Sequence, residues 1–237
     1  MNKVVILTGG TSGIGRATVE LLRKQGCTVY EFSRRPAPAD SWHRSVDVTD
    51  GAAVKAAVDA VAEREGRIDI LINNAGTGAV APAEDITDAQ FANEMDIDLF
   101  GTFRVARAVA KKAMIPAKYG RVINIASMYG LVGNKIAGSA PYHAAKGGVV
   151  NLTRALAAEW GKHGITVNAI CPGYFYTDLT RATLDSDFFQ ANARTMIPEE
   201  RYGNEGELDT AAIFLASPAS SYVTGVPVPV DGGYTCM

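Results

Sequence analysis

The chain has 237 residues, 47% of them hydrophobic and 20% charged, with a net charge of −2. Such a composition is globular and long enough for a large core; it carries no basic run to mark a nucleic-acid footprint, and no apolar stretch near the ~18 residues of a membrane span. The cysteines (Cys27, Cys171, Cys236) and the three histidines are scattered without metal-ligand spacing. The apolar run from Val4 to Leu7 is too short for a secretory leader, so reduced thiols in the cytoplasm are expected.

Taken in chain order, "KVVILT" predicts a first strand, followed by a helix from Ile14 to Gln25 with Ile14, Ala17, Leu21 and Leu22 on one face. "CTVYEF" is a second strand, "RSVDV" a short third, and an alanine-rich helix covers residues 52–64. "IDILIN" and "RVINIAS" are later strands; a long helix from about Pro141 to Lys162 leads to "ITVNAIC", and "VPVPVD" closes the series. Alternating helices and continuous apolar strands predict one α/β domain, a doubly wound parallel sheet of Rossmann type covered on both faces. The irregular stretch 177–204, before a helix expected near Glu205, lies where a lid over the carboxyl ends of the strands would form.

Between the first strand and first helix runs "TGGTSGIG", residues 8–15. A glycine-rich turn opening a helix presents free N–H groups and the positive end of the helix dipole, which suits a phosphate-bearing ligand. In that reading Gly9 permits the tight turn, Gly13 lets the backbone approach a pyrophosphate, and Gly15 lets helix and sheet pack closely. The spacing G-x-x-x-G-x-G is neither the commonest dinucleotide fingerprint nor a P-loop, so an ordinary glycine-rich turn stays open. The second strand runs out through "EFSRRP", where an acid would bind the ribose 2′-hydroxyl of NAD and an arginine the 2′-phosphate of NADP. Ser33 takes the acid's place and Arg34 and Arg35 follow, which favours NADP(H) over NAD(H); Glu31 sits two positions too early to reach the ribose. A merely solvated arginine turn is the alternative.

"YHAAK" places Tyr142 and Lys146 one turn apart on a helix face. A phenol titrates near ~10, and a neighbouring ammonium favours its ionised form, as proton exchange at neutral pH requires. Ser127 closes "RVINIAS", where its hydroxyl can meet a substrate carbonyl or simply form a turn.

Together these pieces resemble the short-chain dehydrogenase/reductase family over nearly the whole chain. The resemblance assigns the cofactor loop to Gly9, Thr11, Ser12, Gly13, Ile14 and Gly15, and adenine contacts to Asp47 and Val48 of "DVTD". It assigns the stretch closing the fourth strand to Asn74, Ala75 and Gly76 of "NNAG". "PGYFYT" carries Pro172, Gly173 and Thr177, the last matching the threonine that holds the nicotinamide carboxamide; "VDGG" near the end is also typical. It implies Tyr142 as general acid/base, Ser127 as the group polarising the carbonyl, and Lys146 as the residue that binds the nicotinamide ribose and eases ionisation of the phenol.

The chain departs from the family at "DLFG": Asp98 stands where an asparagine lends its backbone carbonyl to a water relay; the motif position places its side chain away from the substrate, with a carboxylate close to Lys146, drawing on the lysine's charge, as the alternative. The interval "MYGLVGNKIAGSAP" is also slightly longer than usual and borders the substrate pocket. The resemblance further implies a homotetramer and a small carbonyl or alcohol substrate. Among family members it is similar to those acting on sugar acids and polyols, of the gluconate 5-dehydrogenase kind, with Asn134, His143, Tyr174 and Arg194 as polar lining. A 3-oxoacyl thioester reductase is the runner-up, with Arg104, Arg107, Lys111 and Lys112 as a docking patch for acyl carrier protein or a solvated helix face. Steroid or bile-acid reduction, and a cofactor-binding module without turnover, complete the alternatives.

Overall fold

The computed structural model describes residues 2–35, 42–78, 80–135, 138–177, 180–192, 194–204 and 206–237. Seven strands form one parallel sheet: β1 (Val4–Thr8), β2 (Thr28–Ser33), β3 (His43–Ser45), β4 (Ile70–Asn73), β5 (Gly120–Ile125), β6 (Ile165–Pro172) and β7 (Pro227–Val230). Their order is β3-β2-β1-β4-β5-β6-β7, with Val5 paired to Val29 on one side and Ile70 on the other. Order therefore reverses between β1 and β4, and a crevice opens beyond their carboxyl ends.

Helices cover both faces. On one, Val54, Val58 and Val61 of α2 (Gly51–Glu65) pack with Val105 and Val109 of α4 (Gly101–Val109) and Leu156 of α6 (Ala140–Trp160). On the other, Val19 and Leu22 of α1 (Gly13–Lys24) meet Ala212 and Leu215 of α9 (Asp209–Ala216). Each such aliphatic side chain, removed from water, contributes about 1.5–3 kcal/mol. The valines of α2 recur at i, i+4 and i+7, so a single stripe is buried.

The run between β4 and β5 is one helical rod with two wide turns. α3 (Asp88–Met95) passes through a π-helical turn, Asp96–Phe100, into α4; a second, Ala110–Met114, precedes the short α5 (Ile115–Ala117). A capping box starts it, with Thr87 and Gln90 satisfying each other's backbone N–H groups. α6 is tied to the sheet by buried amides: Asn73 donates to Asn124 at 2.9 Å, and Asn124 to Thr153 at 2.9 Å. After β6 come α7 (Arg181–Leu184) and α8 (Asp187–Asn192).

Two boundaries differ from the sequence expectation. β3 stops at Ser45 and not at Val48, because Asp47 accepts hydrogen bonds from Thr49 N–H at 2.9 Å and Thr49 Oγ1 at 2.8 Å and turns the chain into α2. The helix expected near Glu205 begins at Asp209, since Glu207 accepts from Asn204 N–H at 2.7 Å and closes a turn first. Among the described residues no helix is long and apolar enough to cross a membrane.

Candidate active site

The glycine loop leaves β1 and opens α1 at the crevice. Gly9 has φ +72°, and a Cβ there would lie 2.9 Å from Ala75 Cα. At Gly15 a Cβ would stand 2.2 Å from the Gly9 carbonyl oxygen, so the loop closes only without side chains at these two points. The loop is laced to β4: Asn74 Nδ2 donates to the carbonyls of Thr8 (3.1 Å) and Gly9 (3.0 Å), while Thr8 Oγ1 accepts from the N–H groups of Asn74 and Ala75.

Asp50 caps α2 and Thr87 caps α3, whereas Ser12 makes no side-chain cap bond and the first turn of α1 holds no acid, as is also the case for α6. The first-turn N–H groups of α1 thus keep their bonding capacity toward the crevice, as a pyrophosphate requires. Thr177 faces this cradle, its Cβ 3.6 Å from where a Gly13 Cβ would be. Ile14, Phe175 and Thr177 line the hollow with Arg16 and Arg181, two cations that sequence reasoning passed over. Residues 178 and 179, within the expected lid, lie outside the described residues.

At the end of β2, Ser33 closes the strand, Arg34 is exposed beside it, and Val48 is buried. The Thr49 N–H bond, with Arg34 a further cationic influence, holds the Asp47 carboxyl below its usual range. Glu31 is buried beneath the loop, where Oε1 accepts from Gly10 N–H at 3.1 Å and Oε2 pairs with His43.

At the opposite end, Ser127 follows β5 and is buried, with its Oγ accepting from Tyr129 N–H at 3.1 Å. Tyr142 and Lys146 project from α6, the ammonium 5.5 Å from the Tyr142 ring centroid. Lys146 donates to the Ile125 carbonyl at 3.1 Å and pairs with Asp98 Oδ2 at 2.9 Å. Burial is the largest influence on this lysine and alone would lower its pKa; the charge of Asp98, followed by Tyr142, more than offsets it, and the net direction is upward. Pro172 ends β6, and Gly173 packs on Asp231, where a Cβ would come 2.7 Å from the Asp231 Cα.

Of the two expectations for Asp98, the contact with Lys146 is the one the structure contains: the side chain is completely buried beside the ammonium, within the π-helical turn Asp96–Phe100.

An aromatic wall borders Tyr142. Tyr129 meets it edge-on with centroids 6.5 Å apart, stacks on His143 at 4.6 Å, and hydrogen-bonds through its hydroxyl to Tyr174. Burial pushes Tyr174 up to about 12 and raises Tyr129 further, so both stay neutral hydroxyls near neutral pH. Tyr234 completes the cluster against Tyr174 at 6.0 Å. Of the polar lining named from sequence, His143 and Tyr174 are in this wall; the Arg194 side chain lies outside what is described. Tyr129 and Tyr234 were missed, because nothing local in the sequence says which tyrosines converge.

A glycine cradle at an uncapped helix, placed at the switch point of a parallel sheet and facing a buried lysine beneath a tyrosine, defines a dinucleotide-binding oxidoreductase. A family profile described as "Enoyl-(Acyl carrier protein) reductase" matches residues 9–235. The chain is 37% identical over 98% of its length, and 93% of the relative's, to D-threitol dehydrogenase of Mycolicibacterium smegmatis. With 3-oxoacyl-[acyl-carrier-protein] reductase MabA of Mycobacterium tuberculosis it shares 39% identity over 98% and 93%. A gluconate 5-dehydrogenase from Burkholderia cenocepacia, solved in complex with NADP and tartrate, superposes with TM-score 0.94 at 36% identity, covering 100% of this chain and 97% of that one. The chain belongs to the short-chain dehydrogenase/reductase family, and it is an NAD(P)-dependent alcohol dehydrogenase/carbonyl reductase.

Proposed function

We propose that the protein interconverts a ketone and a secondary alcohol on a sugar acid or polyol, using NADP(H) in preference to NAD(H). The observation that carries this reading is the convergence at the carboxyl edge of β4, β5 and β6. Gly76 lies against the Asp98–Lys146 pair and Gly78 against the Tyr142 ring, so the β4 loop, α6 and the end of β5 enclose one site. A nicotinamide held here would supply or accept the hydride. Ser127 donates a hydrogen bond to the substrate oxygen, and Tyr142 gives up its proton to that oxygen in reduction and recovers it in oxidation. Lys146, held by the Ile125 carbonyl and by its ion pair with Asp98, donates to the cofactor ribose and holds positive charge below the phenol. Gly9, Thr11, Ser12, Gly13, Ile14 and Gly15 hold the pyrophosphate, Asn74, Ala75 and Gly76 wall the crevice, and Pro172, Gly173 and Thr177 hold the carboxamide side. Asp47 and Val48 receive the adenine, and Arg34, with Ser33 leaving the position uncharged, receives the 2′-phosphate.

The polar substrate class is supported by the threitol- and gluconate-acting relatives and by a wall that offers hydroxyls. The acyl-thioester reading draws on the MabA likeness, but the cationic patch it would dock through is largely committed within the chain. Arg104 binds Asp96 at 2.6 Å, Lys112 pairs with Asp59 and Glu63, and Arg107 lies over Phe103. We further infer a single cytoplasmic domain with a lid over 177–204, assembled as a homotetramer; a monomer in light scattering at micromolar concentration would refute the assembly. NADPH oxidation measured against 5-ketogluconate, a ketotetrose and an acetoacetyl thioester tests the substrate class. Preferred turnover of the thioester would overturn it.

A further inference from the structure

Asp98 is met at both oxygens: Thr77 N–H donates to Oδ1 at 2.8 Å, and the Lys146 ammonium lies 2.9 Å from Oδ2 as an ion pair. An amide of the same shape would set its NH2 group against either that N–H or the ammonium, so the pairing suits a carboxylate. The backbone is pinned as well, since Thr102 Oγ1 donates to the Asp98 carbonyl at 2.7 Å. Gly76 seals the pair: a Cβ there would stand 3.0 Å from Asp98 Oδ2 and 3.2 Å from Lys146 Nζ.

We propose that Asp98 is a positioning residue, a buried counter-ion that mutes the field of Lys146 at Tyr142 and sets alcohol oxidation to a higher pH range than an uncharged residue at 98 would. The proposal rests on Tyr142 as the proton-exchanging group. A carboxylate in contact with the ammonium turns its charge into a short dipole, and from 5.5 Å away the phenol feels less of it. The other titratable groups around the pair do not restore that charge. Glu94 of α3 is buried and acidic like Asp98; Cys171 of β6, raised by burial to about 11, and Tyr129 of the turn after β5 are neutral near pH 7. His143 of α6 stacks on Tyr129, with Nδ1 2.8 Å from the Ser139 carbonyl. Reduction, which needs the protonated phenol, is served by this arrangement at neutral pH; oxidation, which needs the phenolate, is displaced upward.

The test compares native protein with Asp98→Asn and Asp98→Ser, the second avoiding the misplaced amide donor. Two quantities are followed against pH: kcat/KM for alcohol oxidation, and the 13Cζ resonance of Tyr142, assigned by its loss in Tyr142→Phe. Both midpoints are expected to fall by about one pH unit in either variant, the lower end of what an adjacent opposite charge is worth. Midpoints that stay in place in a folded variant, or that rise because Lys146 loses its proton once Asp98 no longer offsets burial, overturn the proposal. A Tyr142 resonance that moves while Tyr142→Phe keeps full turnover would leave the counter-ion standing and remove the proton-exchange role instead.

Discussion

The two ends of the sheet both bury charge, and they use it differently. At the amino end, Asp69 before β4 accepts from Val4 N–H at 2.9 Å and pairs with Arg67 and Lys3. Arg121, at the start of β5, gives its guanidinium to the carbonyls of Gly120, Ser217 and Pro218. These contacts tie chain segments together. At the carboxyl end, Lys146 donates to the Ile125 carbonyl and pairs ionically with Asp98, and the first turn of α1, without a side-chain cap, opens on the crevice. Burial of charge alone therefore does not mark a site; bonding capacity left open toward a crevice does.

Substitutions that separate stability from chemistry sharpen this contrast. Lys146→Met has the largest expected effect. It leaves Asp98 buried without its counter-charge, costing about 3–5 kcal/mol of stability, and lowers turnover at least ~10²-fold. Adding Asp98→Asn should recover most of the stability, read by urea denaturation, and none of the turnover. Recovery of activity in the double variant would break the assignment.

At the proposed adenosine end, Ser33→Asp with Arg34→Leu should reverse the proposed preference for NADP(H). One charged hydrogen bond of ~1.5–3 kcal/mol corresponds to roughly 10- to 150-fold in kcat/KM between NADPH and NADH. Native protein that uses NADH as well as or better than NADPH would contradict the role of Arg34.

Arg121→Met, at the structural end, is the smallest change. Leaving buried carbonyls unpartnered costs about 1–3 kcal/mol, or roughly 2–4 °C of Tm for each kcal/mol lost in a chain of this size. Below the lowered Tm, kcat and KM should match the native protein; a kinetic defect there would show that the two ends are not separable.

The sequence reveals these regions unequally, for physical reasons. The strands of the sheet, the glycine loop and the Tyr142–Lys146 pair depend on local spacing, so apolar runs and short motifs expose them. Asp98 does not: its direction depends on a π-helical turn, and helix periodicity contains no sign of one. Glu31 reads as a strand residue too early for the ribose, and only the register of β2 against β1 and β3 puts it under Gly10 and beside His43. The Tyr129, Tyr174 and Tyr234 wall joins residues from three separate segments, which no window along the chain can assemble.

The most direct test of the central claim is Tyr142→Phe, assayed for carbonyl reduction while NADPH binding is followed by its fluorescence. The account predicts kcat lower by ~10²–10⁴-fold, as for loss of a general acid, with cofactor affinity retained. Turnover at the native rate in this variant would contradict it.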